Sequence, residues 1–167
     1  KLVFAKKYQG KLNSVRKVAH SFANDVLFNL TGSNGMFTSK VVVSSDRGAG
    51  DWREIYLMDW DGNNIQQLTN NRSVAVSPTI SHDNKYVVYS INTGNKVAKT
   101  RNWDLFSLDL ETMTRKLVSG RKGINSGAFF FHDSNEFLLT VSSGGNPDIY
   151  RMDLTGKIIK QLTQGPR

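Results

Sequence analysis

The chain has 167 residues, 38% of them hydrophobic, and a formal charge of +8 from 22 basic and 14 acidic side chains. That balance describes a folded chain and excludes a disordered one; the absence of cysteine also excludes a disulfide framework and any cysteine-ligated metal. The basic residues are scattered with no run of four, so no nucleic-acid partner is expected, because phosphate backbones are held by clustered contacts.

KLVFAKKYQG, residues 1–10, predicts one strand with a basic end. The chain opens inside that strand and without Met, the pattern of a processed or trimmed chain. Val15, Val18, Ala19, Phe22, Val26, Leu27 and Leu30 then recur at helical spacing, which predicts an amphipathic helix over Val15–Thr31. Ser14 is placed to cap its start and Gly32 to end it in a left-handed residue. A turn at Gly35-Met36-Phe37 leads into a Val-rich strand, Thr38–Ser44. No apolar run approaches the roughly 18 residues that a membrane span needs, so no transmembrane segment is expected.

From about Asp51 the pattern is β and it repeats. Ile55-Tyr56-Leu57-Met58-Asp59 aligns with Leu105-Phe106-Ser107-Leu108-Asp109 and with Ile149-Tyr150-Arg151-Met152-Asp153. Each Asp precedes a turn, and each turn leads to a short strand ending alike, in Gln67-Leu68-Thr69, Lys116-Leu117-Val118 and Gln161-Leu162-Thr163. Tyr56, Phe106 and Tyr150 are 50 and 44 residues apart. Four short strands per period of 40–50 residues is the signature of a β-propeller blade. The predicted fold is therefore mainly β: residues 1–47 form the end of a small α/β domain with its linker, and residues 38–167 carry blades at 38–69, 77–118 and 126–163. The middle blade is predicted as Ser77–Ile80, Lys85–Ile91, Asp104–Asp109 and Thr114–Val118. About three blades cannot close a ring, so further blades or a second chain are expected to complete it.

The repeat resembles the TolB propeller family. The helix before it adds to the likeness, with Val18-Ala19-His20, Leu30-Thr31-Gly32 and Gly35-Met36-Phe37 in the order of that family's join between small domain and first blade. The resemblance implies a non-enzymatic periplasmic scaffold of the Tol–Pal envelope system that binds a Pal-like peptidoglycan-associated lipoprotein. It also implies TolA as a further partner, through an N-terminal segment outside this sequence. No cofactor and no metal are implied. The family turn Ser-Pro-Asp-Gly reads Ser81-His82-Asp83-Asn84 and Phe131-His132-Asp133-Ser134 here, which marks a divergent member, and Ile124 stands where the resemblance places a lipoprotein-contacting His. The competing expectation is a gating propeller of a peptidase whose catalytic domain lies elsewhere. No Gly-x-Ser-x-Gly elbow, phosphate loop or His-Glu-x-x-His is present to make the chain itself an enzyme.

In a propeller the loops from outer strand to next inner strand share a face with those joining the second and third strands. Here they are 70–76, 119–126, 92–102 and 142–147. Recognition usually sits on loops of a rigid scaffold, so the candidate partner contacts are Arg72, Ser73, Val76, Ser77, Lys99, Arg101, Arg121, Asn125, Ser126 and Gly127. Asp59, Asp83, Asp109, Asp133 and Asp153 recur at turn positions and are read as turn caps. His20 is read as a structural hydrogen-bonding residue. His82 and His132 occupy equivalent turns of neighbouring blades and are expected to stand too far apart to share a metal.

Overall fold

The structure, a computed structural model, describes residues 4–48, 50–94, 102–132, 134–143 and 145–165. It divides into two compact units, one of Lys1–Val41 with Met58–Ile65 and one of Val42–Leu57 with Gln66–Arg167.

The first unit is built on α1 (Val15–Thr31), which has the predicted bounds. Gly32, at φ 74°, ends it by donating its N–H to the Phe28 carbonyl, a conformation that costs glycine little. Ser14 precedes the helix without capping it, because its hydroxyl donates to the Lys11 carbonyl in a short 3-10 turn, Leu12–Ser14. Asn24 holds the chain after the helix: its Oδ1 accepts from the Phe37 N–H at 3.0 Å and its Nδ2 donates to Thr38 Oγ1 at 2.9 Å. Gly35 lies against Asn24 so closely that a Cβ there would sit 2.1 Å from Oδ1. That close approach accounts for the Gly35-Met36-Phe37 signal.

The strand expected over residues 1–10 is corrected. Its first three residues lie outside the described ones, and the described residues 4–10 form no strand. They have no partner strand among the described residues, so the ladder bonds a strand needs are missing. Lys6 and Tyr8 are instead tied to Asp25 of α1 by their side chains.

In the second unit the repeat is realised as sheets. β1 (Lys40–Ser45), β2 (Glu54–Asp59) and β3 (Gln66–Gln67) form the first, in that order, with the ends of β1 and β2 reaching into the first unit. β4 (Ala75–Ile80), β5 (Tyr86–Asn92), β6 (Trp103–Asp109) and β7 (Arg115–Ser119) form the second. β8 (Asn125–Phe130), β9 (Glu136–Val141), β10 (Asp148–Asp153) and β11 (Ile158–Gln161) form the third. Each four-stranded sheet is an antiparallel meander.

Strand alternation explains the packing. On β5, Val87, Tyr89 and Ile91 point to one side, where they meet Ile55, Leu68, Ala75 and Leu108. Val88 points to the other, towards Leu105, Val118, Phe130, Phe137, Leu139 and Met152. The middle sheet is thus covered on both faces, and its strands read as continuous apolar runs. The third sheet buries one face only: Phe129, Ile149 and Leu162 stay exposed. The inner strands β4 and β8 each start two residues before the predicted Ser77 and Gly127, and each carries a register shift, after Val76 and after Ser126. Such a bulge interrupts the alternation that sequence reading follows.

Candidate partner-binding face

At one end of the strands of the second unit lie the connections from β3 to β4 (68–74), from β5 to β6 (described at 93, 94 and 102), from β7 to β8 (120–124) and from β9 to β10 (described at 142, 143 and 145–147). They are bonded to one another. Arg53 pairs with Val74 and Trp103 with Ile124 as isolated parallel bridges, each joining one sheet to the next. The Trp103 N–H donates to the Gly123 carbonyl at 2.9 Å, and the Gly123 N–H donates to Asn102 Oδ1 at 2.7 Å. Ile124 and Ser142 exchange two further bonds, and Ser73 Oγ donates to the Asn92 carbonyl at 2.8 Å.

Asn125 is the hub. It is 0% exposed. Its Oδ1 accepts from Ser119 Oγ at 2.6 Å, and its Nδ2 donates to the carbonyls of Trp103 at 2.8 Å and Arg121 at 2.6 Å. Its own carbonyl accepts from Ser90 Oγ at 2.9 Å. What Asn125 offers a partner is the position of the loop around it, because its amide is spent internally. Arg121 is half-buried and donates to Ser119 Oγ at 2.8 Å, and it reaches the Gly156 carbonyl at 3.4 Å.

Arg72 is exposed and sits at φ 52°, an uncommon conformation for a residue with a side chain. Its N–H is held at 2.7 Å by Glu54 Oε1, so the side chain projects from a fixed point. Ser73 beside it is half-buried. Ser77 at φ 52° and Gly127 at φ 71° are the exposed left-handed residues of the two inner-strand bulges, and Val76 and Ser126 precede them half-buried. Lys99 and Arg101 lie outside the described residues.

One recurring signal was missed in the sequence. The residue before each Ile-Tyr, Leu-Phe or Ile-Tyr pair is acidic: Glu54, Asp104 and Asp148. Buried Glu54 accepts from Thr69 Oγ1 at 2.5 Å and Asn71 Nδ2 at 3.2 Å as well as from Arg72. Asp104 accepts from Thr93 Oγ1 at 2.7 Å and from Asn102. Asp148 accepts from Thr163 Oγ1 at 3.1 Å and the Gly165 N–H at 2.9 Å. These three carboxylates are consumed by their own loops, while Arg53, Arg72 and Lys122 remain exposed, with Asp46 and Asp51 exposed between β1 and β2. The connections after β3 and β7 present cations outward.

The opposite end carries the turns. Asp109 Oδ1 accepts from the N–H groups of Glu111 and Thr112, each at 2.9 Å. Asp153 Oδ1 accepts from the N–H groups of Thr155 and Lys157 and from Thr155 Oγ1. Asp83 accepts from Ser81 Oγ at 2.6 Å and the Lys85 N–H at 3.1 Å. These bonds favour the ionised form and hold all three carboxyls below the usual carboxylate range, led by the Thr112 N–H for Asp109, the Thr155 hydroxyl for Asp153 and the Ser81 hydroxyl for Asp83. Asp133 lies outside the described residues. In the first unit Asp59 departs from its siblings. Lys40 at 2.6 Å and Asn64 at 2.7 Å occupy its carboxylate, and Lys40 above all depresses its pKa; Asp61 takes the turn N–H of Asn63 instead. His20 pairs with Asp61 at 3.1 Å, the structural bond the sequence suggested.

The two turn histidines are the clear correction. The rings of His82 and His132 are in contact, with centroids 4.7 Å apart. Blade-to-blade spacing was expected to separate them, but both follow inner strands, where neighbouring sheets approach most closely.

A profile described as the TolB beta propeller domain matches residues 28–167. A protein named as a TolB homolog, from Chlorobium chlorochromatii, is 34% identical over 163 residues, covering 98% of this chain and 35% of that protein. A Tol-Pal system protein TolB from Geobacter metallireducens is 42% identical over 87 residues, 52% of this chain and 20% of that one. The crystal structure of TolB from Acinetobacter baumannii superposes with a TM-score of 0.75 at 26% identity, covering 93% of this chain and 38% of that one. The chain spans about a third of the length of the full-span relatives it matches.

Proposed function

The chain belongs to the TolB β-propeller family, and from that premise we propose that it is a non-enzymatic scaffold of the Tol–Pal envelope system in the periplasm. It docks a Pal-like lipoprotein domain through the loop end of its sheets. One observation carries this reading: the loops bearing Arg72, Arg121 and Lys122 are cross-bonded into one surface, and the carboxylates of Glu54, Asp104 and Asp148 are turned inward to loop amides and hydroxyls. Such a surface is rigid and cationic, suited to an acidic or polar protein face. Ser77 and Gly127 belong to the same end of the inner strands and extend the surface inward. No helix among the described residues is long and apolar enough to cross a membrane.

The test is calorimetric titration of the chain with a cognate Pal domain. Binding is expected, weakening with salt. Arg72→Glu combined with Lys122→Glu should weaken it about tenfold, mainly through a slower association. A folded chain that takes up no Pal domain, at low or physiological salt, would remove the proposal.

A further inference from the structure

We propose that His82 and His132 form a two-imidazole site for a divalent transition-metal ion of the zinc or copper class, bridging two neighbouring sheets at their turn end. The ring centroids are 4.7 Å apart with planes inclined at 42°. Metal–imidazole bonds are about 2.0–2.1 Å long, so two ring nitrogens sharing an ion stand roughly 3–4 Å apart. Rings already in contact reach that spacing by side-chain rotation, without moving either backbone.

The backbone is held ready on both sides. Ser81 Oγ accepts from the Tyr86 N–H at 2.9 Å and donates to Asp83, which fixes the first turn. Ser134 Oγ accepts from the Glu136 N–H at 2.8 Å and fixes the second. Both histidines are exposed, so an ion has a path in. The adjoining cleft, about 390 Å³, is lined by Ser81, Asp83, Ser134 and Asn135, which supply oxygen donors and room for water. Imidazole with oxygen donors suits zinc, copper and nickel and disfavours magnesium and calcium, which take all-oxygen shells. Among the described residues no three His, Asp or Glu side chains converge on one point. The site therefore has two protein nitrogens, with solvent or a nearby oxygen completing the shell, and the ion is exchangeable. An ion held by both turns would bind the folded chain alone and stabilise the contact between the second and third sheets.

The chain has three histidines in all, which makes the test clean. Calorimetric titration with Zn²⁺ should show one saturable site, and Cu²⁺ bound at one equivalent should show two nitrogen donors in its electron paramagnetic resonance spectrum. His82→Ala and His132→Ala should each lower the affinity by about tenfold or more, whereas His20→Gln should leave it unchanged. Far-UV circular dichroism checks that the variants fold. Should a substitution unfold the chain, the Cu²⁺ spectrum of the unsubstituted protein decides: two nitrogens support the site, and one or none overturns it. Absence of saturable Zn²⁺ uptake, or uptake that survives removal of both turn histidines, overturns it as well.

Discussion

Replacing Asn125 with Ala should be among the most damaging changes available at the loop end. The side chain makes three bonds, at 2.6, 2.8 and 2.6 Å, in a site with no exposure to water. Each contributes about 1 kcal/mol net, and a buried partner left unpaired costs more. The Ser119 hydroxyl keeps a donor in Arg121 at 2.8 Å, so it is not wholly orphaned. The carbonyls of Trp103 and Arg121 lose the bonds made by Nδ2. The expected loss is about 3–4 kcal/mol, or roughly 6–16 °C in Tm for a chain of this size. Urea unfolding followed by tryptophan fluorescence measures it, with Trp103 reporting locally. Asn125→Asp sharpens the case. A carboxylate would face two carbonyl oxygens, so its folded pKa must rise above the unfolded value of about 3.9. That variant keeps its stability below about pH 4 and loses it as pH rises through the raised folded value. A loss under about 1 kcal/mol for Ala, or a pH-independent Asp variant, would refute the hub assignment.

Glu54→Gln should cost about 2–3 kcal/mol in the same unfolding assay, because whichever way the amide is turned its NH₂ faces either the Arg72 N–H or the Thr69 and Asn71 donors; an unchanged midpoint would show that the loop closes without it. Tyr89→Phe should be neutral within about 0.5 kcal/mol or stabilising, since its buried hydroxyl makes no hydrogen bond of ordinary geometry to the Asn71 and Arg115 side chains beside it. A loss above about 1.5 kcal/mol would mean the hydroxyl is satisfied. The depressed carboxyls of Asp83, Asp109 and Asp153 contribute stability that is complete above their unfolded values and lost as pH falls through the lower folded ones. Thermal melts should therefore decline below about pH 4, and Asp109→Asn should flatten that decline.

The helix was legible to the residue, because a 3.6-residue apolar period and a following glycine are local signals. The repeat was legible for the same reason, since Ile-Tyr-x-Met-Asp and its relatives stamp one strand-and-turn unit onto each sheet. What escaped reading was non-local. Residues 4–10 have strand-like composition, but a strand exists only with a partner, and Asp25 claims Lys6 and Tyr8 first. The acidic position of Glu54, Asp104 and Asp148 looked like surface charge, because nothing in the chain announces that loop amides and hydroxyls 11–18 residues away would meet it. Asn125 read as a contact residue for a similar reason: polarity suggests exposure, and only the fold shows an amide buried among carbonyls. The His82–His132 contact needed the distance between inner strands, which no spacing in sequence reports.

The parallel bridges Arg53–Val74 and Trp103–Ile124 bear on how this molecule can be cut or rewired. Each stitches one repeat to the next at the loop end, whereas the hairpin at Asp109 bonds within its own sheet, through its carboxylate to Glu111 and Thr112 and through the Leu110 N–H to the Lys85 carbonyl. New termini, grafted sequences or shuffled segments will be tolerated better at that hairpin than at the one after Asp153, whose Gly156 carbonyl is held by Arg121 of the preceding repeat. A seam drawn between visually separate repeats would sever the stitching that makes them one object.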